Sequence, residues 1–129
     1  MKPEIESTKL FKSFISAKAY KKGFIRKIEV GEIGLAQSCD YFLIRYFHVK
    51  EKYRNKGVGK ELLNTIIEEL QTENYSYIEV VPNSDPYEGE SYIDNEKLYS
   101  IYQHLGFEFV DENADPKAYN NKMRLKRKQ

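Results

Sequence analysis

Arg54, Gly57 and Gly59 stand in a stretch from Val49 to Leu63 that reads as a strand end, a short basic loop and the first turn of a helix. Glycines at that spacing let the backbone come close to a ligand with no Cβ in the way. A helix N-terminus adds free N–H donors and the positive end of its dipole. Lys56 and Lys60 bring more positive charge to the same mouth. The chemistry expected of residues Arg54, Asn55, Lys56, Gly57, Val58, Gly59 and Lys60 is therefore the binding of a phosphorylated ligand. It is not a Walker A loop, which would need glycine at 54 and Ser or Thr at 61, where the chain has Arg54 and Glu61. The dinucleotide pattern G-x-G-x-x-G fails at Leu62, and no strand-helix-strand repeat surrounds it.

A second segment, Asn95 to Phe107, carries Asn95, Tyr99, Tyr102 and a Gly106-Phe107 pair. Arg54-x-x-Gly57-x-Gly59 followed by this segment resembles the GNAT superfamily of acyl-CoA-dependent N-acyltransferases, over roughly residues 24 to 126. The resemblance implies an α/β fold with a mixed central sheet flanked by helices. It also implies acetyl-CoA as co-substrate and transfer of an acetyl group to a primary amine by direct attack. It places the loop from 54 to 60 around the pyrophosphate of coenzyme A, and the strand segment Phe47, His48 and Val49 along the pantetheine arm through its backbone. Asn95 would contact that arm, with Tyr99 between it and Tyr102 in the same cofactor-facing set.

Tyr102 matches the family tyrosine that protonates the departing thiolate. A tyrosine on an apolar helical stripe more often packs than reacts. The chemistry nevertheless suits it: a phenol with pKa near about 10 stays protonated at neutral pH and can donate toward a thiolate whose conjugate acid lies near about 8.5. The general base is unassigned. Some GNAT enzymes carry a glutamate about eleven residues before the loop arginine, and here that position is Leu43. His48, Glu79, Glu88, Glu90 and Asp94 remain as titratable candidates, beside a water chain with no dedicated base. The departure at 43 keeps open an alternative function, a CoA-binding or interaction module of the same fold without efficient catalysis.

The rest of the chain bounds the reading. Its 129 residues suit one domain spanning 1–129, with a single core. Twenty-one basic against twenty acidic side chains leave net +1, so no global field directs it to nucleic acid or membrane. The basic tail at Lys126-Arg127-Lys128 reads as a solvated end. Cys39 is the only cysteine, which excludes an intrachain disulfide and a zinc cluster; no metal is expected, and a reducing cytoplasm is the simplest compartment. Neither a signal-peptide h-region nor an apolar run of the ~20 residues that span a bilayer is present. GNAT domains often dimerise, so a homodimer is one expected state.

These residues need elements to hold them. Leu10, Phe11, Phe14 and Ile15 recur at helical spacing and suggest an amphipathic helix from about Ser7 to Ala19. Residues 24–30 and 33–38 read as two strands around Gly31-Glu32, and Tyr41 to Val49 as a third in an antiparallel meander. Val58, Leu62, Leu63, Ile66, Ile67 and Leu70 form one helical apolar stripe. Tyr75 to Val81 follows as a strand that the right-handed crossover rule makes parallel to 41–49. Leu98, Ile101, Tyr102 and Leu105 mark a second packed helix, started at Asp94 and stopped by Gly106, with closing strands at 107–110 and 122–126. The turn-rich 83–93 connection, with Tyr87 and Tyr92, is expected to bear on acceptor choice rather than on cofactor affinity.

Overall fold

The computed structural model describes residues 2–10 and 13–128. Seven strands form one mixed sheet: β1 (Glu4–Leu10), β2 (Phe14–Lys22), β3 (Lys27–Ser38), β4 (Tyr41–Val49), β5 (Tyr77–Val80), β6 (Glu108–Phe109) and β7 (Met123–Lys126). Among the described residues two α-helices, α1 (Val58–Glu69) and α2 (Asn95–His104), and a 3-10 turn at Glu51–Tyr53 complete the fold. The strand order is β1-β2-β3-β4-β5-β7-β6, antiparallel except where β5 runs parallel to β4 after the α1 crossover. No helix among the described residues is long and apolar enough to cross a membrane.

The helix expected from Ser7 to Ala19 is instead the β1–β2 hairpin, paired from Glu4↔Tyr20 to Leu10↔Phe14. Ile15, Ala17 and Ala19 are buried while Phe14, Ser16 and Lys18 between them are less so, a period of two. Leu10, Phe14 and Ile15 satisfy helical spacing, but Leu10 and Phe14 equally satisfy two paired antiparallel strand ends. Phe11, the fourth residue of the expected stripe, lies outside the described residues. The break expected at Gly31-Glu32 is likewise absent, and β3 runs unbroken through it. Gly31 is there for close packing: a Cβ on it would stand 3.0 Å from the His48 carbonyl and 3.2 Å from Leu62 of α1. The genuine turn is at Cys39-Asp40, where Cys39 takes φ 54° between paired Ser38 and Tyr41.

Helix α1 lays Val58, Leu62, Leu63 and Ile66 on the sheet against Ile15, Ala17, Val30, Ile33, Leu35, Phe42 and Ile44, and this is the core. Helix α2 is bounded by strong local signals. The Asp94 side chain accepts from the Lys97 N–H at 3.0 Å and caps its start. At its end Gly106 takes φ 104°, while the Phe107 and Gly106 N–H groups bond back to Tyr102 and Gln103 carbonyls. That is the Schellman arrangement, in which only glycine is unstrained at the left-handed position.

Candidate functional site

The register of β4 changes between Gly34↔Tyr46 and Leu35↔Ile44, so Arg45 is an extra residue in a β-bulge. Its effect is a change of face. Phe42 and Ile44 point into the core before the bulge, and after it Phe47 and Val49, rather than Tyr46 and His48, take that side. Just there β4 also parts from β5. Their ladder holds only two pairs, Phe42↔Ile78 and Leu43↔Glu79, and the rest of β4 pairs with β3 alone. The parting opens a cleft of about 620 Å³ between β4, the 54–60 loop and α2.

Phe47, His48, Val49, Arg54, Asn55, Gly57, Val58, Gly59, Lys60 and Tyr102 all line this cleft. Gly57 is the N-cap of α1 at φ 82°, and no side chain caps the helix. The N–H groups of its first turn therefore have no intrahelical acceptor and remain available to an anion. Arg54 sits at the edge of the loop, its Nε donating to the Val49 carbonyl at 2.9 Å, so its charge is pinned to the end of β4. Across the cleft the Tyr102 ring packs edge-on to Phe47 and Phe107, at centroid distances of 6.0 and 5.4 Å. Burial pushes its phenol up from the ordinary value, which keeps it protonated.

Three expected members stand apart. Tyr99 is a correction: it is fully buried on another face of α2, against Phe109, and its hydroxyl donates to the Ala118 carbonyl at 2.7 Å and accepts from the Asn121 N–H at 3.3 Å. The spacing from Asn95 to Tyr102 hid this, because a helical face wide enough to hold 95, 99 and 102 is only partly turned to the cleft. Asn95 lines a neighbouring depression with Asn83, Tyr92 and Lys117. Lys56 is exposed and outside the cleft lining. In turn, Ile101, expected to be packed, is 39% exposed and faces the cleft together with Lys97 and His104. Helical phase relative to Tyr102 is the only sequence signal for that wall.

The 83–93 connection is tied to the cleft rim by Glu90, which sequence reading had only as one of five candidate bases. Its carboxylate accepts from the Glu51 N–H at 2.7 Å and the Tyr87 N–H at 2.9 Å, and it lies 3.0 Å from His48 Nε2 and 3.5 Å from the Arg54 guanidinium. The His48 approach is an electrostatic contact rather than an aligned hydrogen bond. Burial raises the Glu90 carboxyl, but the two N–H donors, His48 and Arg54 outweigh it and hold the group below the usual carboxylate range. His48 is moved down, chiefly by burial, with Glu90 opposing and Arg54 assisting, so its imidazole is neutral at neutral pH. Tyr87 stacks on it at 3.6 Å and donates to Glu32 at 2.7 Å; burial and that bond push the phenol up.

Of the other candidate bases, Asp94 is spent on the α2 cap, and Glu79 is buried beside Leu43 with an oxygen 3.0 Å from Arg124 Nε. Glu88 is exposed.

Residues 15–109 match the family model of the acetyltransferase (GNAT) domain. No curated protein sequence matches the chain. Among solved structures, the GNAT-family acetyltransferase of Staphylococcus aureus superposes with a TM-score of 0.62 at 22% identity, over 89% of this chain and 68% of that one. The IAA acetyltransferase of Bacillus cereus gives a TM-score of 0.62 at 18% identity, over 88% and 78%. The PaiA N-acetyltransferase of Thermoplasma acidophilum, solved in complex with coenzyme A, gives 0.62 at 18%, over 88% and 61%. At such identities the likeness is one of fold.

Proposed function

The chain belongs to the GNAT acetyltransferase family, an acyltransferase with acetyl-CoA as co-substrate, and from that premise we propose that it acetylates a primary amine by direct attack. What supports this is the cleft where β4 leaves β5: an uncapped helix N-terminus with two glycines on one wall, and a buried, protonated tyrosine on the other.

The 54–60 loop and the first turn of α1 hold the pyrophosphate through backbone N–H groups, with Lys60 and Arg54 adding charge at the rim. Phe47, His48 and Val49 offer backbone groups to the pantetheine arm; the bulge at Arg45 sets how they face it. The amine lone pair attacks the thioester carbonyl carbon, forming the C–N bond, and collapse of the tetrahedral intermediate breaks the C–S bond. Tyr102 donates a hydrogen bond to sulfur as its charge develops and supplies the proton that yields free CoA thiol. The surplus proton of the amine leaves through water, and a proton taken back from solvent restores the Tyr102 phenol. Cys39, exposed in the β3–β4 turn, takes no part, and no covalent enzyme intermediate forms.

Thiol release from acetyl-CoA, measured with a panel of primary amines, tests this. Amine-dependent release is expected. Tight acetyl-CoA binding with no turnover on any amine would favour the non-catalytic module that Leu43 leaves open.

A further inference from the structure

The β2–β3 hairpin ends in a feature that neither folding nor the cleft accounts for. Between Lys22 and Lys27, which pair, the Gly23 N–H bonds to the Arg26 carbonyl at 3.0 Å and closes a tip whose two central residues are Phe24 and Ile25. The connection is four residues long, Gly23 to Arg26, and turns of that length need no left-handed residue at their centre. Here an aromatic and a β-branched residue hold the central places, neither of them at positive φ. Neither packs on anything: Phe24 is 104% and Ile25 89% exposed. The core makes no use of the pair.

The charge around the tip is one-sided. Lys21, Lys22 and Arg26 flank it, and none of them joins an ion pair among the described residues, while Lys27 is held by Glu4 at 2.7 Å. Lys21 reaches over the Tyr53 ring at 5.5 Å, which brings the hairpin beside the turn carrying Lys50 and Lys52. Three cations without an ion-pair partner among the described residues thus flank two exposed apolar side chains, with Lys50 and Lys52 on the neighbouring turn.

We propose that this tip is a docking element for an anionic lipid surface, with Phe24 and Ile25 entering the headgroup boundary and Lys21, Lys22 and Arg26 meeting lipid phosphates and carboxylates. Nucleic acid would satisfy the cations but gives an isoleucine nothing to bury against. A second copy docked tip to tip would bring like charges together. No residue from 21 to 27 lines the cleft.

The test is co-sedimentation of the whole chain with vesicles of phosphatidylcholine alone and of phosphatidylcholine with about 30% phosphatidylserine, a composition that supplies a negative surface potential. Binding to the anionic vesicles only, weakened by salt, is expected. Phe24→Ser with Ile25→Ser, and separately Lys22→Glu with Arg26→Glu, should each weaken it by about tenfold or more. Both variants should keep the circular dichroism spectrum, the melting temperature and the acetyl-CoA affinity of the parent. No binding by the parent, or equal binding by the apolar-to-serine variant, overturns the proposal. So does a concentration-dependent dimer that this variant abolishes, or binding to single-stranded RNA in place of vesicles.

Discussion

The Glu90 carboxylate lies 3.0 Å from His48 Nε2, so the connection between β5 and α2 sits directly against the strand that lines the cleft. The same carboxylate faces Arg54 and receives the Glu51 N–H, which joins it to the loop that leads into α1. The 83–93 connection and the 54–60 loop are therefore joined through one carboxylate, whereas the turn-rich composition of the connection points to the acceptor alone.

Glu90→Gln keeps one oxygen but replaces the other with an amide NH2 group that faces donors. Losing a charged acceptor from a nearly buried site costs about 1–3 kcal/mol, so we expect a lower melting temperature and acetyl-CoA affinity reduced by about fivefold or more, with Glu90→Asp recovering part of both. Calorimetric titration with acetyl-CoA checks this. Unchanged cofactor affinity with an altered acceptor KM would return the connection to a purely acceptor role.

Tyr102→Phe removes one hydroxyl from a ring already packed between Phe47 and Phe107, and should leave fold and acetyl-CoA affinity intact. The expected loss is in kcat, by about 10²-fold or more if no water substitutes. Tyr99→Phe is the opposite case. Its hydroxyl bonds Ala118 and Asn121 away from the cleft, so it should cost about 1 kcal/mol of stability and leave kcat near the parent value. Full turnover in Tyr102→Phe would remove the tyrosine from the mechanism.

The two glycines of the loop should fail for different reasons. A Cβ on Gly59 would stand 3.5 Å from Phe47, ordinary contact, so Gly59→Ala folds, while Gly59→Leu extends among cleft-lining side chains and should abolish acetyl-CoA binding. Gly57 has open space around it but sits at φ 82°, so Gly57→Ala costs about 1–2 kcal/mol through backbone strain alone. Thermal melts and binding isotherms separate the two effects. Normal affinity in a folded Gly59→Leu protein would place the phosphates elsewhere.

Acid should weaken the fold through His48. Its folded pKa lies below the ordinary 6.5, so the folded state binds the proton less readily than the unfolded chain does. The associated stability is complete above about pH 6.5 and is lost as pH falls from there through the folded value. Glu90, also lowered, adds a second loss below its ordinary 4.5. Melting temperatures between pH 7.5 and 5 should fall for the parent and fall less for His48→Gln; parallel curves would show that His48 is not the titrating group.

Local signals carried a large part of the architecture. The loop and helix at 54–70 were legible because glycines, cations and an apolar stripe of period 3.6 all lie within one short segment. Helix α2 was legible because its Asp94 cap and Gly106 stop work over a single turn each. The parallel placement of β5 followed from connection handedness, which is a property of the chain and not of distant contacts. At residues 7–19 the same kind of signal misled, since the spacing of Leu10, Phe14 and Ile15 fits both a helix and a hairpin; pairing with β3, residues 27–38, settles it.

By itself the sequence determined the family resemblance, because the Arg54-Gly57-Gly59 loop and the Asn95 to Phe107 segment that carry it rest on residue types at short, fixed separations. Only the tertiary structure decided that Arg45 bulges out of β4, that Tyr99 turns to Phe109 rather than to the cleft, and that Glu90 gathers His48, Arg54 and two backbone N–H groups. Glu90 stands 36 residues from Arg54 and 42 from His48 along the chain, and neither spacing nor propensity reports a contact made by bringing such distant segments together. The ladder of β4 and β5 ends after two pairs for the same kind of reason: strand divergence is set by what packs on either side, which no local run of residues records.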